Sequence, residues 1–489
     1  MHGRDQAIFD AKQSTIAKVE SHAKLAWRCA RLALSLLLRR EDRLRLGNAQ
    51  ACLALRSACT IFASFLRQMQ QRMSAVLEAP KVRYRIAIGV FFFLQGFTFA
   101  SWAARIPDFK EVFGLNEGQL GTLLLAFPLG QLLGVPLSGY LVERFTSRRT
   151  LLSAAFLYPF TLTCLGFIPF MAMPGGETMP GGGGLMPSWT VYVFGAVLFL
   201  LGLIANLHNL SVNTQAVGVE KEYGRSIMGT FHGCWSLAGF ASGLVGSFMA
   251  AHSIVPFFHY AGVLGFGLIV LLFCHRYTLK QDVVSETVKD DKPTFNIFKG
   301  MDSFVLLLGF LAFASMLCEG TMYDWSAIYF DQEVGVAKEY IRFGYTACML
   351  AMAAYRFLAD GIVNRFGPVF IMRMSGLMTA GGFLLMVIAP WVGLSGILAL
   401  VVATVGSALV GLGVSSVVPI CYGAVSRHKG VVAGRAINAV STIGFFGFVM
   451  GPPIIGHLAQ WIGLPWVFVL VALLGLSIAL FAGKLKGNG

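Results

Sequence analysis

The sequence predicts an all-α polytopic membrane protein, twelve transmembrane helices arranged as two six-helix bundles. Three observations carry that expectation. Of 489 residues, 56% are hydrophobic and only 13% are charged, against about 25% charged in a soluble domain. Apolar runs of about 20 residues recur, each long enough to cross ~30 Å of hydrocarbon. The second half of the chain also echoes the first. A porin-type barrel would alternate polar and apolar residues in segments of about ten, and no such alternation occurs.

Taken in order, residues 1–83 form a basic N-terminal extension. Residues 1–85 hold sixteen Lys and Arg against six Asp and Glu, a net +10 of the chain's +14. The basic excess is therefore local and does not point to nucleic acid. Ala26 to Leu38 is apolar, but Arg28 and Arg31 interrupt it and it is too short to span. Three readings stand for this extension: a targeting peptide, a membrane-surface helix, or a start assigned too early, with the protein beginning near Met73.

From Tyr84 the pattern is regular. Spans are expected at 84–106, 117–141, 150–171, 189–214, 226–250, 256–275, 303–330, 342–363, 369–389, 391–420, 431–459 and 462–483. The charged linker 276–302 separates an N-terminal bundle at 84–275 from a C-terminal bundle at 303–489. With the N-terminus inside, the inner loops and tail carry Arg144, Arg148, Arg149, Lys221, Arg225, Arg365, Arg373, Arg427, Lys429, Arg435, Lys484 and Lys486. The outer loops carry only Arg105, Lys110, Lys338 and Arg342. This bias places both termini and the linker on the cytoplasmic side. The loop 173–188, with glycines from Gly181 to Gly184, is then external and flexible.

Several chemistries are excluded by what is missing. The nine cysteines are scattered, with no Cys-x-x-Cys and no Cys/His cluster, so no metal or disulfide framework is expected. There is no phosphate-binding Gly-x-x-x-x-Gly-Lys-[Ser/Thr] loop, which argues against ATP-driven pumping. No nucleophile elbow or paired-His motif suggests an enzyme. No cofactor is expected.

The halves match at an offset of 221. Leu141-Val142-Glu143-Arg144-Phe145 stands opposite Ile362-Val363-Asn364-Arg365-Phe366, and Gly114-Leu115 opposite Gly335-Val336. Ser211-Val212 and Ser416-Val417 end spans four and ten. Gly224-Arg225 and Gly434-Arg435 begin spans five and eleven. Such an internal repeat of six spans marks a transporter built from two related bundles.

The loop after span two, Gly139-Tyr-Leu-Val-Glu143-Arg144-Phe-Thr146-Ser-Arg148-Arg149, resembles that of the major facilitator superfamily, roughly Gly-x-x-x-Asp-Arg-x-Gly-Arg-Arg. Glu replaces Asp, and Thr146 stands where the family has Gly. A second copy runs from Arg356 through Asp360, Asn364 and Arg365 to Gly367. The resemblance covers residues 84–489. It implies that Glu143, Arg144, Arg148, Arg356, Asp360 and Arg365 act as gating contacts at the cytoplasmic helix ends. Arg356 and Asp360 are four apart and can pair on one helical face. A plain basic inner loop is the alternative.

The resemblance also implies a central cavity lined by spans one, four, seven and ten, helped by two, five, eight and eleven. On those spans, substrate-binding candidates are Gln95 and Trp102 in span one, seven apart and on one face. Span four adds the stripe Asn206, Asn209 and Asn213, which reads equally as helix–helix glue. Trp235 in span five and Asn438 in span eleven complete the set with Tyr323. His232, in span five with Met228 and Trp235, is either a proton relay or a structural histidine. Trp102 and Arg105 also read as interfacial anchors.

Span seven carries the strongest signal. Glu319 and Asp324 sit in apolar sequence with no Lys or Arg between Phe304 and Lys338. An ionised carboxylate in mid-bilayer costs about 3 kcal/mol or more, so either these acids face a wet cavity with partners on other helices or one of them stays protonated. Glu319, Tyr323 and Ser326 share a face. Glu319 is mid-span and is the candidate proton carrier. Asp324 is five residues on, near the outer end and on another face, and reads as an outer gate, as a partner for Arg105, or as a structural group.

The string Cys318-Glu319-Gly320 to Asp324-Trp325-Ser326, with Asn213-Thr214-Gln215 and His232-Gly-Cys-Trp235-Ser236, is similar to a bacterial branch near the fucose permease-like proteins. That resemblance implies proton-coupled movement of a small polar solute, a sugar among the candidates, across the bacterial inner membrane by a monomer. Its partners would be the solute, protons and lipid. The Gly-Pro pair Gly451-Pro452 lies in span eleven rather than five, which favours a symporting importer. A proton-coupled exporter of amphipathic compounds, or a sensor that transports nothing, stay as alternatives.

Overall fold

The computed structural model describes residues 80–172, 188–223, 227–282, 302–426, 428 and 433–486. The N-terminal extension, the glycine-rich loop and most of the linker lie outside the described residues, as do Arg225, Arg427 and Lys429. The described residues are helical throughout, with no strand. Eleven of the helices are long and apolar enough to cross a membrane. A twelfth helix, Phe343–Phe366, is 24 residues long; the side chains of Asp360 and Asn364 within it lie outside the described residues.

Spans two to six are the helices Ala126–Phe145, Ser147–Ala172, Ser188–Tyr223, Met228–Ala251 and Pro256–Cys274. A short helix, Glu117–Leu124, leads into span two. The second half follows the same plan, from Ser303–Asp324 to Leu464–Phe481. Within the first bundle, span two packs on four, and three on four and six. Within the second, span eight packs on ten, and nine on ten and twelve. These three contacts recur after a shift of six spans. The bundles meet where span five packs on eight and the start of span two packs on eleven.

The repeat reaches the backbone angles. Gly114 has φ 61° and Gly335 φ 66°, each ending a short helix in the left-handed conformation that glycine adopts without steric cost. The first-span helix Pro80–Ala103 and the seventh-span helix Ser303–Asp324 end at positions that differ by the same offset of 221. Thr146 (φ 74°, ψ 151°) and Gly367 (φ 79°, ψ 154°) also correspond. In each case the amide bonds the carbonyl four residues back, at 2.9 Å. A Thr in this region is strained, because the Cβ crowds its own backbone.

Where the second bundle begins, Asp302 caps span seven by accepting from the Val305 amide at 2.9 Å. It also contacts the ring of His428 from the loop between spans ten and eleven. The Val305 N–H, and then the His428 bond, hold the Asp302 carboxyl below its ordinary value of 3.8.

Two expectations follow for the purified protein in detergent. Thr146→Gly should raise the unfolding midpoint, a gain of about 1 kcal/mol from relieved strain; an unchanged or lower midpoint would show that the turn carries none. Asp302→Ala should lower stability by about 1 kcal/mol at neutral pH. Because the carboxyl is depressed, its contribution is present above about pH 4 and lost as pH falls through its folded value. The gap between the two proteins should therefore close in acid, which melting curves across pH would check.

Candidate functional site

A cavity of about 1150 Å³ lies between the bundles. Its wall draws on both halves, with Gln95 and Phe99 from span one, Asn209 from four, His232 and Trp235 from five, Glu319 and Asp324 from seven, Arg356 from eight and Phe448 from eleven. It extends to Met228, Val363, Gly367 and Pro368, at the helix ends that the charge bias assigns to the cytoplasm.

The opposite end is shut by charge. Arg342 donates from Nη2 to both carboxylate oxygens of Asp108, at 3.0 and 3.1 Å, and from Nε to the Ala104 carbonyl at 2.5 Å. Arg105 Nε lies 2.9 Å from the same Asp108, and its guanidinium also donates to the Ile254 carbonyl. Both arginines are fully enclosed, at 2% and 0% exposure. Lys338 reaches Glu111 at 3.0 Å, and Gln332 reaches Glu117 at 3.3 Å. Every one of these contacts except Arg105–Asp108 and Arg105–Ile254 joins one bundle to the other.

Inside the cavity, Glu319 is 8% exposed. It accepts the phenol proton of Tyr323 one turn on. Arg356 Nη2 stands 3.6 Å from its carboxylate, and Arg356 Nη1 donates to Ser236 Oγ at 2.6 Å. Arg356 thus bridges span eight to spans five and seven, one from each bundle. Aromatic rings continue the wall: Phe99 lies 5.9 Å from Trp235 and 5.4 Å from Tyr323, and Tyr323 lies 6.1 Å from Phe448. Gln95 donates to the Asn209 side chain at 3.1 Å. Asn213 donates to the same Asn209 oxygen at 3.0 Å.

The sequence candidates divide accordingly. Gln95, Trp102, Asn209, His232, Trp235, Glu319 and Tyr323 all line the cavity. His232 meets it edge-on to Phe92, with ring centroids 5.4 Å apart. Trp102 is almost wholly buried against Phe109 and Phe194. Asn206 instead faces span two, where a Cβ on Gly134 would sit 3.2 Å from its own. Three- and four-residue steps drift round a helix, so the stripe splits. Asn213 supports Asn209 from behind. Asn438 is exposed and off the cavity wall; Phe445, Phe448 and Pro452 represent its span there.

The gating set needs more correction. Arg356 turns into the cavity toward Glu319, because a buried acid outcompetes a helix-end partner as counter-charge; the side chain of Asp360 lies outside the described residues. Arg105 pairs with Asp108, three residues on, and not with Asp324. Asp324 itself lines the cavity together with Glu319. A five-residue step turns it off the Glu319 face, yet the cavity wall includes both acids. Glu143 and Arg144 are exposed and form no ion pair among the described residues. Arg148 reaches the His275 carbonyl at 3.3 Å, within its own bundle, and Arg365 lies over the Phe366 ring at 5.3 Å.

Sequence reasoning missed Asp108, Arg342 and Ser236. The three-residue spacing of Arg105 and Asp108 was a usable signal for the first. Nothing in the sequence links Arg342 or Ser236 to partners 234 and 120 positions away.

Residues 86–433 match the family model described as Major Facilitator Superfamily. An uncharacterized MFS-type transporter of Yersinia pestis is 30% identical over 400 residues, covering 82% of this chain and 95% of that protein. Membrane protein MosC of Rhizobium meliloti is 28% identical over 393 residues, covering 80% and 88%. Among solved structures, the inward-open xylose transporter XylE from E. coli superposes with a TM-score of 0.63 at 14% identity, covering 83% of this chain and 96% of that one. Nucleoside transporter NupG superposes at 0.59 and 12% identity, covering 83% and 100%.

Breaking a buried charge pair costs about 3–5 kcal/mol, whereas an exposed pair contributes about 0–1 kcal/mol. Lys338 and Glu111 are 72% and 46% exposed. Arg342→Gln should therefore open the closed end and Lys338→Gln should not. Spin labels at Leu115 and Val336, read as distance distributions in lipid nanodiscs, would check this: long separations should appear only in the Arg342 variant.

Proposed function

The chain belongs to the Major Facilitator Superfamily of transporters, and from that premise we propose that it is a secondary active transporter that carries a small polar solute by alternating access, coupled to protons. The observation that carries this reading is the cavity shared by both bundles, sealed at one end by Arg342–Asp108 and lined by the Glu319–Arg356 pair. Its volume of about 1150 Å³ suits a small solute with room for water.

The sealed end is the outer end, and the conformation is inward-facing. The unengaged Glu143 and Arg144 at the other end agree with this, since a closed cytoplasmic face would need them. The protein acts as a monomer in the bacterial inner membrane with both termini cytoplasmic, and the solute moves inward by symport. Gln95, Asn209 and Trp235 contact the solute. Asn213 holds the Asn209 amide in place.

Glu319 carries the proton. Ionised, it attracts Arg356, which also holds Ser236 of the other bundle. Protonated, it loses the charge that fixes Arg356, and the link across the bundles at spans five and eight weakens. Protonation in the cavity thereby biases the equilibrium between the two facing states, which is what coupling requires. His232 stands in the same wall as a route for the proton.

Glu319→Gln removes the titratable group while keeping shape and a hydrogen-bond acceptor for Tyr323. In proteoliposomes it should abolish accumulation driven by a proton gradient, a loss of tenfold or more, and leave solute exchange within about twofold of the parent. Undiminished gradient-driven uptake would rule out Glu319 as the carrier.

A further inference from the structure

Glu319 does not account for all the charge in the cavity. Its charged side chains among the described residues are Glu319, Asp324 and Arg356, and His232 stands in the same wall. Glu319 is engaged by Arg356 and Tyr323. Asp324 has no hydrogen bond and no ion pair among the described residues, and it is only partly buried, open to the cavity. His232 comes from span five and packs on Phe92; no contact joins it to Asp324. One carboxyl group on the cavity wall is left without a partner among the described residues.

The surroundings favour a cation as that partner. The aromatic wall of Phe99, Trp235, Tyr323 and Phe448 presents π systems that attract an ammonium group. An anionic solute would meet the reverse: the only guanidinium on the described wall is already held by Glu319 and Ser236.

We propose that the solute is a monocation, a small polar molecule bearing one protonated amine, and that Asp324 is its charge-recognition residue. The inference rests on the transporter reading above and names the substrate class of that same cavity. The ammonium replaces the missing counter-charge of Asp324, while hydroxyl groups on the solute meet Gln95 and Asn209. Asp324 is distinct from Glu319 in role: one selects the solute's charge and the other carries the proton.

The test uses purified full-length protein and matched trios of probes, each a neutral polyol or sugar with its amino and its carboxylate counterpart; glucose, glucosamine and glucuronate form one trio and cyclitols another. Binding is read by ligand-induced thermal stabilisation and by calorimetry. The amine of at least one trio should bind tenfold or more tighter than its neutral counterpart. Asp324→Asn should reduce that preference to within twofold, and Asp324→Glu should restore part of it. Tightest binding by the carboxylates, an amine preference that survives in Asp324→Asn, or no binding by any amine would each overturn the proposal. Gradient-driven uptake by the parent protein, measured alongside with neutral probes, separates this failure from failure of the transporter reading. A protein that takes up a neutral probe but ignores amines still transports.

Discussion

Buried charge in apolar surroundings must find a partner, and in this protein the partners are found across the bundle interface. Arg342 is wholly enclosed and carries its charge to Asp108 and the Ala104 carbonyl on the other bundle. Neither bundle alone satisfies it. The shut end is therefore not merely a place of close packing. Separating the bundles there would strand a guanidinium in a low-dielectric gap, so the closed arrangement is held by the cost of the alternative. That cost must be offset when the transporter turns outward, and water entering the opened end is the natural replacement partner.

The same constraint acts a second time in the middle of the molecule, with lower stakes. Arg356 and Glu319 are held 3.6 Å apart, looser than the pair at the shut end, and both reach a cavity large enough for water. A looser and wetter pair can exchange partners without stranding a charge. The cross-bundle ionic contacts thus differ in setting: Arg342 is enclosed, Arg356 and Glu319 reach the cavity, and Lys338 and Glu111 stand in the open. The order along the cavity follows from burial: Arg342–Asp108 is sealed, Arg356–Glu319 is lined by polar atoms, and Glu143 and Arg144 stand in the open.

Much of the fold was legible because a two-fold repeat leaves marks that survive sequence drift. Gly114 and Gly335 were visible as an echo and turn out to share a left-handed backbone. Thr146 was visible as a departure from its family's glycine, and the chain keeps the glycine's conformation at that residue. The span pattern was legible because hydrocarbon thickness imposes length. The site was legible in part. Glu319 stood out because an acid in apolar sequence is costly anywhere. Its partner did not, since Arg356 sits next to a closer acid, Asp360, and helical spacing pointed there. Asn206 and Asn438 were misplaced for a related reason. A helix face seen in sequence shows which residues lie together but not which neighbour they meet. Arg342 and Asp108 are paired by the docking of two bundles, which no local pattern encodes.

Asp324 is where these threads meet. Counted along an ideal helix it belongs to a different face from Glu319, and that count assigned it to the outer gate. Both acids nonetheless line the cavity, so the cavity meets more than one face of this span. The nearby outer arginine is already taken by Asp108, which is closer along the chain. Deprived of that partner and open to the cavity, the carboxylate keeps its charge only if something mobile supplies the opposite sign. A proton would do so at the expense of its charge; a cationic solute would do so without it. A site that must bind and release its solute benefits from such an unpaired group, because a charge already matched within the protein would have to be freed before the solute could use it.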